Sequence, residues 1–211
     1  TAPLAAHREV PIQGLVRPTA FGQLWRISRV EAAIAVATFA ITLLAAPRLY
    51  WGVLAGVVMA LSHFLYLRLH PRIIEVGLHA DGSLRDRHLW ALPPLAPDLF
   101  ALRMDAALDF ATAPGLERSV AEHLQAHPGT RHVVLIAHPI NWIDATGVEA
   151  FARLRAQLED RRIHLHLVGI KLPVETPLRQ AGHLEAGERL HLYRTEGDAL
   201  RAVSALPIDG P

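Results

Sequence analysis

The chain has 211 residues, room for one ordinary domain plus something smaller. Its formal net charge of +1 conceals two unlike parts: Thr1 to Leu78 carries seven Arg against three acidic residues, a net of +4, and the remainder carries fourteen Lys and Arg against seventeen Asp and Glu, a net of −3. An arginine-rich face, zinc-finger spacing and an aromatic ladder beside a basic groove are all missing, which excludes a nucleic-acid binder, while the lack of cysteine excludes disulfides, thiolate ligands and a cysteine nucleophile and fits a cytosolic soluble half.

The first 29 residues read as a lead-in and interfacial segment. The chain does not begin with Met and opens on an apolar stretch, Thr1 to Leu15, which together point to a piece of a longer protein. A secretory signal does not fit, because the first apolar run begins near position 30 and no small-residue cleavage motif follows it. Gln13 to Ser28 reads as a connector laid along a membrane surface through Phe21, Leu24, Trp25 and Ile27.

Residues 30–70 then predict two membrane-crossing helices, at about 30–47 and 49–69. Fifteen successive uncharged residues run from Ala32 to Ala46, and nineteen more from Leu49 to Leu67, with Pro47-Arg48 between them. A spanning helix needs about 20 residues, so the second run qualifies directly and the first needs its flanks in the headgroup region. The competing reading, a buried helix of a soluble domain, is weakened by the pairing, since a core this small has little with which to cover two helices apolar all round. Arg26 and Arg29 before the pair and Arg68 and Arg72 after it, against Arg48 alone between them, put both outer flanks on the cytoplasmic side. Gly52, Gly56 and Ala60 form a small-residue stripe suited to close helix packing, although glycine is also simply common in membrane helices. The two runs contain no Asp, Glu, Lys or Arg and a single histidine, His63, so a midplane ion site is not expected in them.

Residues 71–98 read as a linker with one short edge strand around His88 to Leu92, stopped by Pro93-Pro94. A soluble α/β domain is expected over residues 99–211. Leu99 to Met104 and Ala107 to Phe110 suggest a hairpin or bulged strand pair, and Ala113 to His127 a helix with Leu116, Val120 and Leu124 on one face. His132 to Ala137 and Ile163 to Val168 are short apolar runs of the kind found in strands buried on both faces. Helices are expected at about Val148 to Asp160, Val174 to Ala181 and Glu196 to Val203, with a strand near Arg189 to Tyr193. The alternation predicts a mostly parallel sheet flanked by helices.

Asn141 to Gly147 reads NWIDATG. Asp144 is placed to cap the helix that follows, and exposed amides at a helix start can hold an anion or meet a partner surface. Asn141, Trp142, Asp144, Thr146 and Gly147 are therefore candidate contacts, against the plainer reading that Asp144 satisfies those amides and Trp142 is buried. Thirteen His invite a metal hypothesis, but neither His123/His127 nor His164/His166 has a third ligand at a usual spacing, and no HExxH occurs. A phosphate loop, a G-x-S-x-G elbow and a paired-carboxylate spacing are also missing, so no catalytic residue, metal or cofactor is predicted.

The ordered set of Trp25 to Arg29 with Glu31, Ala37 to Leu44, Trp51-Gly52 to Gly56-Val57, His70-Pro71-Arg72, Leu102 to Ala113, Ile143 to Gly147 with Glu149-Ala150, Leu167 to Lys171 with Pro173-Val174, and Leu178 to Gly182 resembles the last quarter to third of the SulP sulfate and anion permeases. Within it, residues Phe100 to about Ser204 resemble the STAS domain shared with anti-sigma-factor antagonists. The resemblance implies a fold in two parts, a membrane α-helical hairpin followed by an α/β STAS-like domain. It also implies the C-terminal portion of a secondary active transporter of the sulfate or bicarbonate class. On that reading the helices end the gate subdomain, and a cytoplasmic STAS domain regulates the protein and supports a homodimer. The substrate site lies earlier in such proteins, so this portion would not transport alone. The implied partners are the rest of the transporter membrane domain, a second copy, a cytoplasmic regulatory protein and the lipid bilayer of a bacterial cell membrane. Ala145 stands where the antagonists carry a phosphorylated serine, which argues against a kinase-operated switch. The alternative class is a stand-alone, membrane-anchored STAS-like interaction module.

Overall fold

The computed structural model describes residues 18–205 apart from Ala186, and side chains from Gly22 onward. The apolar lead-in over residues 1–15, the start of the expected interfacial connector and the Phe21 side chain therefore lie outside the described residues. The chain divides into two compact units, Thr1–Tyr66 and Leu67–Pro211.

The first unit is helical. Helix α1 spans Pro18–Ile27 and α2 spans Arg29–Leu44, with Ser28 at the junction, where its hydroxyl accepts the Glu31 amide at 3.3 Å. Helix α3 spans Tyr50–Leu69. At 1.5 Å per residue its 20 residues extend about 30 Å, the thickness of a bilayer's hydrocarbon core. Among the described residues it is the one helix long and apolar enough to cross a membrane. Helix α2 has 16 residues, about 24 Å, and stops at Leu44, so the first of the two expected spans is shorter than the 30–47 anticipated from hydropathy. Gly52 and Gly56 are buried where α3 meets α2: a methyl group on either would run into Thr42 or Thr38 respectively. Ala60, one turn on, lines the same groove with Val53 and Val57. The Thr38 and Thr42 hydroxyls donate back to the Ile34 and Thr38 carbonyls at 2.8 and 2.7 Å, so neither is left as an unmet donor in the groove.

The second unit is a six-stranded sheet in the order β2-β1-β3-β4-β5-β6. Its strands are β1 (Ile73–Leu78), β2 (Leu84–Asp86), β3 (Leu99–Met104), β4 (His132–Ile136), β5 (His164–Val168) and β6 (Leu190–Tyr193). Strands β3 to β6 are parallel, while β1 pairs antiparallel with both β2 and β3, so the sheet is mixed. Helices α4 (Ala113–Ala126), α5 (Ala145–Asp160), α6 (Leu172–Gln180) and α7 (Glu196–Ser204) complete the unit. Pro114 and Pro173, each near the first turn of its helix, have no amide to lose there.

Strand alternation divides the core in two. Leu102, Val133, Leu135, Leu165 and Leu167 face α4, α5 and α6 through Leu116, Val120, Phe151, Leu154 and Val174. Ala101, Val134, Ile136 and Val168 face the other way, toward Ala199 and Val203 of α7 and toward Leu95 and Ala96.

Two expectations need correction. The segment expected as a linker with a strand at His88 to Leu92 instead supplies β1 and β2. Ile74 and Val76 alternate into the second core face, and Glu75 between them pairs with Arg87 at 2.6 Å and meets the His88 ring at 3.1 Å. His88 to Leu92 is turn because the Asp86 carboxylate takes the His88 and Leu89 amides and bends the chain out of β2. Ala107 to Phe110 makes no hairpin with β3. Leu108 bridges in parallel to Ile143, and Oδ1 of the buried Asp109 accepts the Ala111 and Thr112 amides, opening the turn into α4.

Phe151 is 1% exposed and sits in the middle of the larger core. Phe151→Ala is expected to cost about 3–5 kcal/mol of unfolding free energy, measured by denaturant titration in detergent. Phe151→Leu should cost less than half of that.

Candidate interaction site at the start of α5

The carboxyl ends of β3 and β4 lead into two loops that are stitched to each other. The Leu108 amide donates to the Trp142 carbonyl at 3.0 Å, and the Asp144 amide donates to the Leu108 carbonyl at 3.3 Å. Asp144 is the N-cap of α5: one carboxylate oxygen accepts the Gly147 amide at 2.7 Å, and the other accepts the Phe110 amide at 3.1 Å. A single side chain thus caps the helix and holds the neighbouring loop.

Gly147 has a separate reason to be glycine. It is buried, and a Cβ there would meet the Leu108 carbonyl oxygen and the Ile143 side chain well inside contact distance. Ile143 is buried beneath the loop, while Asn141, Ala145 and Thr146 are exposed and Trp142 is 51% exposed. The five candidate residues are consequently together in the fold but of two kinds: Asp144 and Gly147 are consumed by the loop itself, and Asn141, Trp142 and Thr146 face outward. Because the Asp144 carboxylate occupies the helix start, its charge opposes an incoming anion there.

Two residues that sequence reasoning passed over share this end of the sheet. Phe110, 66% exposed, follows β3, and Leu172, also exposed, follows β5, so with Trp142 an exposed large apolar side chain follows each of three consecutive parallel strands. The signal was available as large apolar residues four to six positions past the ends of strands, in segments where turn chemistry favours polar ones. Among the described residues no buried side-chain nitrogen or oxygen lacks a partner, and no group of three or more His, Asp or Glu could hold a metal ion.

Residues 94–199 match the STAS domain family. The chain belongs to that family. STAS domains are non-catalytic, and their mixed sheet flanked by helices is the one described above. Along 95% of its length the chain is 22% identical, over 212 residues, to Sulfate transporter 1.1 of Arabidopsis thaliana, covering 32% of that protein. The murine Solute Carrier 26 family member A9 anion transporter, solved in its inward-facing state, superposes with a TM-score of 0.74 at 19% identity, over 92% of this chain and 31% of that one. A second structure, of SLC26A9, gives 0.71 at 17% identity, over 89% of this chain and 32% of that one. The chain spans about a third of the length of the proteins it matches. At these identities the likeness is one of fold: that of a SulP/SLC26-type anion transporter toward its STAS domain.

Asp144→Ala removes the α5 cap and the acceptor for Phe110 together and should lower stability by about 1–2 kcal/mol, as read by thermal denaturation. Asp144→Asn should recover part of the loss. Gly147→Ala should be worse than either, because backbone and not a mobile side chain stands in the way.

Proposed function

We propose that this chain is the C-terminal portion of a secondary active inorganic anion transporter of the sulfate or bicarbonate class. It comprises the end of the gate subdomain and a regulatory, dimer-supporting STAS domain. The observation that carries the proposal is that the likeness to anion transporters runs through the apolar helices and the STAS domain alike, over nine-tenths of the chain, where a shared STAS domain alone would account for about half. In this reading α2 and α3 are the last two spans. Helix α2 reaches the required length by placing Arg29 to Glu31 at one interface and the Pro47 turn at the other, and α3 crosses directly.

The proposed layout keeps the lead-in to residue 29, the spans over 30–70 and the STAS-like domain over 99–211, with residues 71–98 leading into that domain and giving its sheet β1 and β2. The outer flanks and the STAS domain are cytoplasmic, a placement supported by the Arg distribution, and the membrane is a cell membrane. The substrate site belongs to the missing membrane core, so this portion does not transport alone. Asn141, Trp142 and Thr146, with Phe110 and Leu172 on the same end of the sheet, form a contact face for a cytoplasmic regulatory protein. Its support is the exposure of three large apolar side chains at one end of the sheet. Position 145 is alanine, so regulation there acts by contact and not by phosphorylation of that residue.

The proposal is tested on the protein extracted from its native membrane. An intact mass far above 23.2 kDa, with uptake of labelled sulfate or bicarbonate into vesicles, is the expected result. A mass of about that value with no uptake points instead to a membrane-anchored interaction module. In the parent, deleting Phe100 to Pro211 should impair folding, dimerisation or regulation and leave substrate preference unchanged. Replacing both Phe110 and Trp142 by Ala should alter transport rate while moving stability by no more than about 0.5 kcal/mol, since neither side chain is buried.

A further inference from the structure

Four histidines meet on the α7 face of the sheet, at the amino ends of the parallel strands and away from the site at the start of α5. His132 opens β4, His164 and His166 lie on β5, and His191 lies on β6. The strand register sets His132 opposite His164 and His166 opposite His191. Nδ1 of His132 lies 3.1 Å from Nε2 of His166, whose own Nδ1 lies 3.3 Å from the Tyr193 hydroxyl. Nδ1 of His164 lies 3.1 Å from Nε2 of His191. Ring centroids stand 5.2 Å apart for His132 and His164, 5.3 Å for His164 and His191, and 4.8 Å for His166 and His191. His166, at the centre, is 2% exposed.

This arrangement suits neutral imidazoles. Each close nitrogen pair needs one N–H and one lone pair, which neutral rings supply, with the Tyr193–His166–His132 relay running in either direction and one of His164 and His191 donating to the other. Stacked rings project their lone pairs along neighbouring planes and not toward one point, so the cluster is not a metal cage. Adding protons makes both nitrogens of a ring donors and sets like charges about 5 Å apart under partial burial. The other charged groups do not offset this. Asp98 favours charge on His132, but Arg131 opposes it, and Arg189 opposes charge on His164. On α7, Asp198 pairs with Arg201, and Glu196 faces His138 at 3.8 Å.

We propose that these four histidines form a pH-sensitive latch: neutral, they hold β6 and the α7 that packs on it against the sheet, and on acidification of the surroundings they release this edge. Strand β6 is the last of the sheet, where it gives Leu190 to the core under α4 and α5, and α7 packs on β5 and β6, so the pair can loosen while the rest of that core stays closed. The latch is a property of the domain itself and holds whatever the parent transports.

Burial, followed by the neighbouring histidines, lowers the pKa of His166 from 6.5 to about 3, and burial also lowers those of His132 and His164. A histidine lowered in this way contributes no pH dependence well above 6.5. Below that value the open form takes a proton that the closed form refuses, so closure weakens steadily until the closed-form pKa is reached. For His166 alone, the opening equilibrium rises about tenfold between pH 7.5 and 5.5, and His132 and His164 add to it.

The test is amide hydrogen exchange on the full chain in detergent, corrected for intrinsic rates, over peptides covering Leu190–Tyr193 and Glu196–Ser204. Loss of protection by tenfold or more between pH 7.5 and 5.5, cut by about tenfold in His166→Phe with any remainder carried by His132 and His164, is the expected result. His123, whose pKa burial also lowers, stacks on Phe100 on the opposite face, and peptides of α4 report its effect separately. Unchanged protection in the unaltered protein, or an equal loss in a variant still protected at pH 7.5, overturns the latch. If the variant is unprotected at pH 7.5, imidazole nitrogen shifts of the unaltered protein decide. Histidines that titrate together with the loss of protection support the proposal, and independent titrations near 6.5 with β6 undisturbed overturn it.

Discussion

A parallel sheet has to be covered on both faces, because its strands carry apolar side chains in both directions. Here the two covers are unequal. Three helices and a dense set of Leu, Val and Phe side chains close one face, whereas the other has α7 and the short Leu95-Ala96 segment. The nine residues of α7 extend about 13 Å, too little to shield every strand end. The unequal covering leaves room over the strands of the poorly covered face, and the histidine cluster occupies it.

The antiparallel edge follows from the same constraint. Strand β3 is buried on both sides and needs a neighbour away from β4, and β1 provides it. In β1 Ile74 and Val76 alternate with Glu75, whose charge would weaken a strand assignment in isolation. Arg87 and His88 make it tolerable, and they come from beyond β2, twelve and thirteen residues along the chain. Such pairings are set by tertiary contact and leave little trace in local periodicity.

That contrast explains what could be read from residues alone. The apolar runs at His132 to Ile136 and His164 to Val168, the capped helix after Asp144 and the apolar stretches of α2 and α3 were legible because each signal lies within one window. The roles of β1 and β2 were not, since a charged residue interrupts one and the other has three residues. At the candidate site, Asp144 was legible as a cap but not as the acceptor for Phe110, thirty-four residues earlier. Gly147 was legible as part of a motif, and its cause, the Leu108 carbonyl, was not. The histidines were visible as a pair on β5. Their partners on β4 and β6 required the register, which no spacing within one strand reveals.

The loops after β3 and β4 share four interactions: two backbone hydrogen bonds, a carboxylate that serves both, and a glycine that leaves room for the opposing carbonyl. Mechanically they are one part made from two pieces of chain. A chimaera that imports either loop alone from a related domain would inherit half of a matched set, with an amide facing no acceptor or a methyl group facing a carbonyl. The unit that can be transplanted, or inherited intact as such domains diverge, is therefore the pair, and length changes in one loop should be matched by changes in the other.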